Sequence, residues 1–176
     1  VDKRTPGERL GNCALHQVYG MSRIPVYGPT VLGFRCDEGG RVRLFFRYAH
    51  GLHFSGTTPD SYGDKFDKSL PSLVRLPERS GFELAGADGV FHPATAAIFV
   101  DCDIDDLINA KVNVVDYNAT EFGIPINSRS IGTITLATPE VPAPVMMRYA
   151  WRSWGPAPLV NDNDLPAHPF KLDLTD

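Results

Sequence analysis

The residues best able to do chemistry in this 176-residue chain are five histidines, an acidic run and one aromatic–cationic cluster. Serine-based hydrolysis needs a nucleophile, a base and an orienting acid within hydrogen-bond reach. The chain holds no Gly-x-Ser-x-Gly, and no Ser stands in a Gly-rich strand-to-helix turn, so no complete catalytic set is read within it. His50 and His53 lie three apart in Tyr48-Ala49-His50-Gly51-Leu52-His53. On a strand such a pair points to opposite faces, which reads as a structural or loop role rather than a metal pair. His92 precedes Pro93 and reads as a surface residue in a turn. His16 falls mid-helix, opposite a Leu10/Ala14 stripe, and reads as part of a solvated face.

Asp101-Cys102-Asp103-Ile104-Asp105-Asp106 looks like the start of a calcium loop. It departs from the EF-hand at position six, where Asp106 replaces Gly, and at position twelve, where Val112 replaces Glu. It therefore reads as an acidic solvated turn, with a non-EF calcium site as the alternative. Asn118-Ala119-Thr120 is a glycosylation sequon in a loop, which makes Asn118 the glycosylation candidate. Neither Gly-x-Gly-x-x-Gly nor a P-loop occurs, so nucleotide binding is unsupported. Arg148-Tyr149-Ala150-Trp151, with Arg152 and Trp154, ends a strand and enters a Pro-rich turn. Trp faces beside Arg suit sugar stacking or a domain interface. Trp151 reads as core and Trp154, beside Gly155, as exposed.

These groups must be positioned by a chain of ordinary globular composition, 43% hydrophobic and 22% charged. The length suits about one domain, large enough to bury a core without a metal or disulfide staple. The formal charge is −4, so the basic excess of a nucleic-acid binder is missing. No run of 18 apolar residues suggests a membrane span, and Val1-Asp2-Lys3-Arg4 opens without an apolar signal region. The start at Val1 rather than Met suggests a processed or excised piece. Cys13, Cys36 and Cys102 allow at most one pair, form no C-x-x-C, and read as small buried thiols.

Sixteen glycines and 15 prolines exceed the usual share of about 12% and disfavour long helices. One helix is nonetheless marked. Thr5 can N-cap, Pro6 sits at N1, Glu8 completes a capping box, and Gly20 supplies the stop, giving a helix over about 6–19. Leu10, Ala14, Leu15 and Val18 recur at helical spacing within it. The period then switches to two, with Val42, Leu44 and Phe46 on one face and Gly39-Gly40 as the turn from a strand near 31–37. Further short strands are read at 81–85, 90–91, 94–101, 111–116, 132–138 and 145–151, with a tight turn at Ala87-Asp88-Gly89. Residues 55–80 and 117–131 read as loops. The tail from Pro156 keeps Leu159, Val160, Leu165 and Phe170, which suggests that it docks. The fold class is mainly β, a sandwich preceded by one helix. A lone helix on a sandwich cannot easily cover its apolar stripe. It either packs on the sandwich or belongs to another domain.

An ordered set of segments runs Thr5-Pro6-Gly7-Glu8-Arg9-Leu10 with Val18-Tyr19-Gly20, Gly40-Arg41-Val42-Arg43-Leu44, and Gly81-Phe82-Glu83-Leu84-Ala85-Gly86 with Asp88-Gly89. It continues with Phe91-His92-Pro93-Ala94, Pro144-Val145-Met146-Met147-Arg148-Tyr149-Ala150-Trp151 and Leu165-Pro166-Ala167-His168-Pro169-Phe170. This ordered set resembles the C-terminal part of sialate O-acetylesterase-like proteins. These serine esterases join an SGNH-type α/β hydrolase domain to β-sandwich modules. The resemblance implies that residues 1–25 are the terminal helix of the upstream hydrolase domain and 26–176 the sandwich. Catalytic Asp and His in that family sit in an Asp-x-His-Pro-like stretch before a Lys and the final helix. Lys3 and the helix from Pro6 match that Lys and that helix. The catalytic His is thus implied just upstream of Val1, with the Ser and oxyanion donors further upstream, and none of the catalytic residues is placed in this chain.

The function implied is that of a carbohydrate O-acetylesterase part acting on acetylated sugars. The triad comes from an upstream segment or partner chain, and no metal or organic cofactor is needed. Arg152, Trp154 and His168 are the substrate-rim candidates. Asp164 stands where a Gly commonly precedes Leu-Pro-Ala, and His168 where a small residue is usual. The 101–131 stretch is also long for the family, and related enzymes deacetylate other sugars, including xylan fragments. A secreted, periplasmic or lysosomal-type compartment is implied by the same resemblance. The alternative reading is a non-catalytic carbohydrate-binding or structural sandwich, with Trp151 and Trp154 as the stacking platform.

Overall fold

The computed structural model describes residues 3–55, 73–74, 77–100, 113–114, 131–153 and 155–175. Helix α1 spans Arg4–Gln17. It starts two residues earlier than the sequence signals suggest, and Lys3 at the N-cap makes no side-chain cap bond. Thr5 therefore lies within the first turn rather than at the N-cap expected for a capping box, and Glu8 forms an i,i+4 pair with Arg4, Nε to Oε1 2.6 Å. The expected stop is present: Gly20 takes φ +71, and the Met21 N–H reaches the Leu15 carbonyl at 3.0 Å.

The strands are β1 (Thr30–Asp37), β2 (Arg41–Arg47), β3 (His53–Phe54), β4 (Leu73–Val74), β5 (Phe82–Ala85) and β6 (Phe91–Pro93). They continue as β7 (Thr95–Val100), β8 (Asn113–Val114), β9 (Gly132–Ala137), β10 (Met146–Tyr149), β11 (Leu159–Val160) and β12 (Phe170–Asp173). A six-stranded sheet has the order β4-β7-β9-β2-β1-β8, a four-stranded sheet the order β12-β10-β5-β6, and β11 pairs with β3. All pairings are antiparallel. Glu38, Gly39 and Gly40 close the β1–β2 hairpin, and Gly39 and Gly40 take φ +75 and +73, left-handed conformations that favour Gly. A Cβ at Gly40 would also come 2.5 Å from the Pro142 carbonyl oxygen.

The two larger sheets face each other across one core. Val42, Leu44 and Phe46 of β2 alternate inward, as do Ile134 and Leu136 of β9. From the opposite sheet come Phe82 and Leu84 of β5, and Met147 and Tyr149 of β10. Phe46 meets Phe170 across the layers at 6.0 Å, edge to face. The molecule is therefore mainly β, a sandwich preceded by one helix. The tail docks as expected: Leu159 and Val160 form β11, and Phe170–Asp173 adds an edge strand beside β10.

Three readings from the sequence are corrected. His16 is not on a solvated face: it is half-buried, with Nδ1 2.8 Å from the Ile24 carbonyl oxygen and its ring edge-on to Tyr27. His92 lies in β6 rather than in a turn, paired with Leu84. Trp151 is not core, being 53% exposed. Tyr149 and Trp151 would share a face on a continuous strand, but Ala150 adopts φ +50 and breaks the alternation. The reading of the cysteines as buried thiols is corrected too: Cys13 and Cys36 are free, Cys36 exposed and Cys13 half-buried. The calcium-like run, Asn118, Cys102 and Trp154 lie outside the described residues.

Candidate functional site

The aromatic–cationic cluster sits at the end of β10 on the outer face of the four-stranded sheet. Antiparallel register places Arg148 opposite Glu83 on β5 and opposite Lys171 on β12. Glu83 is buried and both its oxygens are used. Oε2 accepts from Arg148 Nε at 2.6 Å and Oε1 from Arg152 Nη2 at 2.7 Å. Burial alone would raise the Glu83 carboxyl, but the hydrogen bonds and charges of the two arginines outweigh it and hold the group below its ordinary value. Arg148 also lies over the Phe91 ring, 4.0 Å from its centroid. It is thereby fixed on two sides, whereas Arg152 keeps a largely exposed side chain.

The turn beyond β10 carries Trp151 and Arg152. Its backbone is set by the Ala150 N–H, which donates to the Gly81 carbonyl at 2.9 Å, and by two left-handed residues, Ala150 and Gly81. Gly81 is required there twice over: φ is +77, and a Cβ would come 2.6 Å from the Pro156 carbonyl oxygen. A shallow open groove results, lined by Trp151, Arg152, Glu83, Glu78, Pro77 and Pro156. Gly155 lies against Arg152, where a Cβ would come 3.2 Å from the Arg152 Cβ. The groove offers a flat aromatic, guanidinium donors and carboxylate acceptors within stiff proline walls.

A second cleft, of about 150 Å³, lies where α1 meets the sandwich and is lined by Arg9, Cys13, Val26, Leu165, Pro166 and His168. Arg9 Nη2 donates to the Asp164 carbonyl at 2.8 Å, which ties the helix to the 161–165 turn. Arg152 and His168 are both exposed, and they line different clefts.

The helix is mounted with its polar side inward. Arg9, Cys13 and His16, spaced i, i+4, i+7, meet the sandwich or its cleft. Leu10 on the helix is about three-quarters exposed, as are Val18 at its C-cap and Tyr19 just beyond, and Met21 in the following turn is half exposed. Helices on globular surfaces ordinarily show the opposite arrangement.

His50 and Asp162 form a pair that the sequence did not indicate, Nδ1 to Oδ2 2.6 Å, at the surface. The Asp162 N–H also donates to the His50 carbonyl at 3.0 Å. Such a pair does nucleophilic chemistry only with a hydroxyl or thiol in reach of the other ring nitrogen. Among the described residues no group of three His, Cys, Asp or Glu side chains could hold a metal, and no helix is long and apolar enough to cross a membrane.

Glu83 was the functional-site residue missed by sequence reasoning. Its signal, a lone acid within Gly-Phe-Glu-Leu-Ala, acquires meaning only with the register to Arg148, 65 residues away.

No family model matches this chain, and no curated protein matches it either. The chain is similar to a solved structure of a carbohydrate acetylesterase from Xanthomonas citri, with a TM-score of 0.60 and 26% sequence identity. The match covers 98% of this chain and 28% of that enzyme, so the likeness is to a minor part of an acetylesterase.

Proposed function

We propose that this chain is the C-terminal part of a serine carbohydrate O-acetylesterase of the sialate O-acetylesterase-like, SGNH type. The observation that carries the reading is the inverted helix. Leu10 on the helix, with Val18 at its C-cap and Tyr19 just beyond, leaves an exposed apolar surface suited to cover by a further apolar surface. The upstream hydrolase domain is that surface in this reading, and residues 1–25 belong with it. The likeness of nearly the whole chain to 28% of an acetylesterase supports the same division.

In this scheme the chemistry is acyl transfer. A Ser of the upstream segment attacks the acetyl carbonyl while a His takes its proton. Oriented donors hold the oxyanion, the sugar hydroxyl leaves with that proton, and water then frees acetate and restores the Ser. This chain supplies α1 as a buttress for the loop that carries the His. Arg152 and His168 contribute to the sugar rim from two separate clefts, and Trp154 is kept as a third rim residue. A secreted, periplasmic or lysosomal-type setting belongs to the same proposal.

Native mass and acetyl-ester turnover, measured on one sample, test the reading. Turnover is expected only from species that contain an upstream segment. Turnover by the 176-residue chain alone would overturn the placement of the triad outside it. The second reading, a carbohydrate-binding sandwich, is favoured by one specific observation: the exposed Trp151 beside a polar groove.

A further inference from the structure

We infer that the Trp151 groove is a non-catalytic subsite for a neutral sugar ring. Three observations converge on it. The first is the strained turn. Ala150 holds a left-handed conformation that L-residues rarely adopt, and this same residue turns Trp151 out of the core.

The second is the pairing of surfaces. An exposed indole face can stack on the C–H face of a pyranose. Beside it, Arg152 gives one N–H to Glu83, and no other bond from it is made to the described residues, which leaves donors for ring hydroxyls. Glu78 on the groove wall offers the acceptor. Glu83 is a positioning residue here: it is buried and fully engaged, and it fixes where the Arg152 fork lies.

The third is charge. Glu78, Glu83 and Arg152 line the groove, and Arg148 backs Glu83 from the sheet. The lining itself thus carries two carboxylates against one guanidinium. A carboxylated sugar would meet no net attraction and would face Glu78 as a like charge, whereas a neutral polyol uses donor and acceptor together. The shallow, open shape suits contact with one face of a ring.

The inference deepens the carbohydrate-binding reading and rests on it, not on the esterase reading, and its test uses this chain alone. Methyl glucoside, methyl xyloside and methyl galactoside would be titrated into the labelled protein, with methyl glucuronide as the acidic counterpart of the first. Amide and indole N–H shifts would be followed by NMR. Saturable shifts at Trp151 and Arg152 are expected with at least one neutral glycoside, and weaker binding with the glucuronide. Trp151→Ala should abolish them, and Arg152→Ala should weaken binding about tenfold, the worth of one charge-assisted hydrogen bond. Trp151 is exposed, so Trp151→Ala should keep the native spectrum elsewhere, and Arg152→Ala should shift native signals only around its partner Glu83. Trp151→Phe, which retains a ring, should restore part of the affinity. No saturable shift with any neutral glycoside, binding unchanged in Trp151→Ala, or glucuronide binding at least as tight would overturn the inference. Failure of the esterase test would leave this result standing, and the reverse holds too.

Discussion

Glu83 and Arg148 face each other across β5 and β10, Oε2 to Nε 2.6 Å, with side chains only 8% and 24% exposed. The pair joins two strands far apart in sequence and reaches forward to Arg152, outside the sheet. The same ionic contact therefore belongs to the fold and to the groove. A buried pair of this kind contributes less net stability than its short distance suggests, because both groups lose solvation. Its value here is direction: it aims a guanidinium.

Glu83→Gln should destabilise the protein by about 1–3 kcal/mol near neutral pH, since two charge-assisted hydrogen bonds are weakened. The pH dependence has a defined sign. The folded-state carboxyl lies below its ordinary value of 4.5, so its contribution is fully present above that value and is lost as pH falls through the folded value. The difference between wild type and Glu83→Gln in denaturant unfolding should shrink on going from about pH 7 to about pH 3. Asp37, held low by Arg35 and Arg43 against the opposing effect of burial, titrates equally in both proteins and cancels in that difference. A difference constant with pH would remove the ionic role assigned to Glu83.

Tyr149→Phe isolates one hydrogen bond. The Leu159 N–H donates to the Tyr149 hydroxyl at 2.9 Å, and both residues are fully buried. Burial pushes the Tyr149 phenol well above its ordinary range, so it stays neutral at any working pH. The substitution keeps the ring contacts with Phe82 at 4.5 Å and Phe170 at 5.6 Å. What it removes is the acceptor, leaving a buried N–H unpaired, at a cost of about 1–3 kcal/mol. Urea unfolding of the two proteins gives the number. A loss below about 0.5 kcal/mol, ordinary for a surface change, would mean that the amide finds another partner.

Much of this architecture is legible from local pattern. Gly39-Gly40 and the Val42, Leu44, Phe46 alternation specify the β1–β2 hairpin because turn chemistry and strand period agree there. Gly20 marks the helix end for the same reason. The site is less legible because it depends on pairings between distant strands. Glu83 gains its role from register with Arg148, and no local window contains both. Trp151 misleads because strand alternation places it with Tyr149, and a single left-handed Ala reverses it. His16 misleads because the helix turns its polar side to the sandwich, against the usual rule for surface helices.

Asn161 is a junction whose removal should be costly. It is buried, and its amide donates to the Tyr27 carbonyl at 3.0 Å and to the Tyr48 carbonyl at 3.1 Å. Its oxygen accepts the N–H groups of Asn163 at 3.1 Å and Leu165 at 3.2 Å. One side chain thus binds the chain before β1, the end of β2 and the 161–165 turn that receives Arg9. Asn161→Ala should cost about 2–4 kcal/mol, with several backbone groups left unpaired. Asn161→Asp has nearly the same shape but places a carboxylate against two carbonyl oxygens. It should cost more than Ala at neutral pH and recover partly in acid, where the protonated acid can donate again. Thermal unfolding across pH distinguishes the two. An Asp variant as stable as wild type would show that the amide donors are not what holds the junction.

The exposed apolar residues of α1 and its C-cap, Leu10 and Val18, separate a structural helix from a docking helix. Leu10 and Val18 bury little in this chain, so the double change Leu10→Gln with Val18→Glu should leave stability within about 0.5 kcal/mol. If an upstream hydrolase domain covers that face, the same residues are buried in the larger protein. Burying such a side chain contributes about 1.5–3 kcal/mol, and a charged replacement adds a desolvation cost. The double variant should then lower the unfolding temperature and acetyl-ester turnover of a protein containing both parts while sparing the short chain. Reverting Val18 alone should restore part of both. Equal tolerance in the two contexts would mean that the apolar face is solvated in each, and α1 would lose its assigned place against the hydrolase domain.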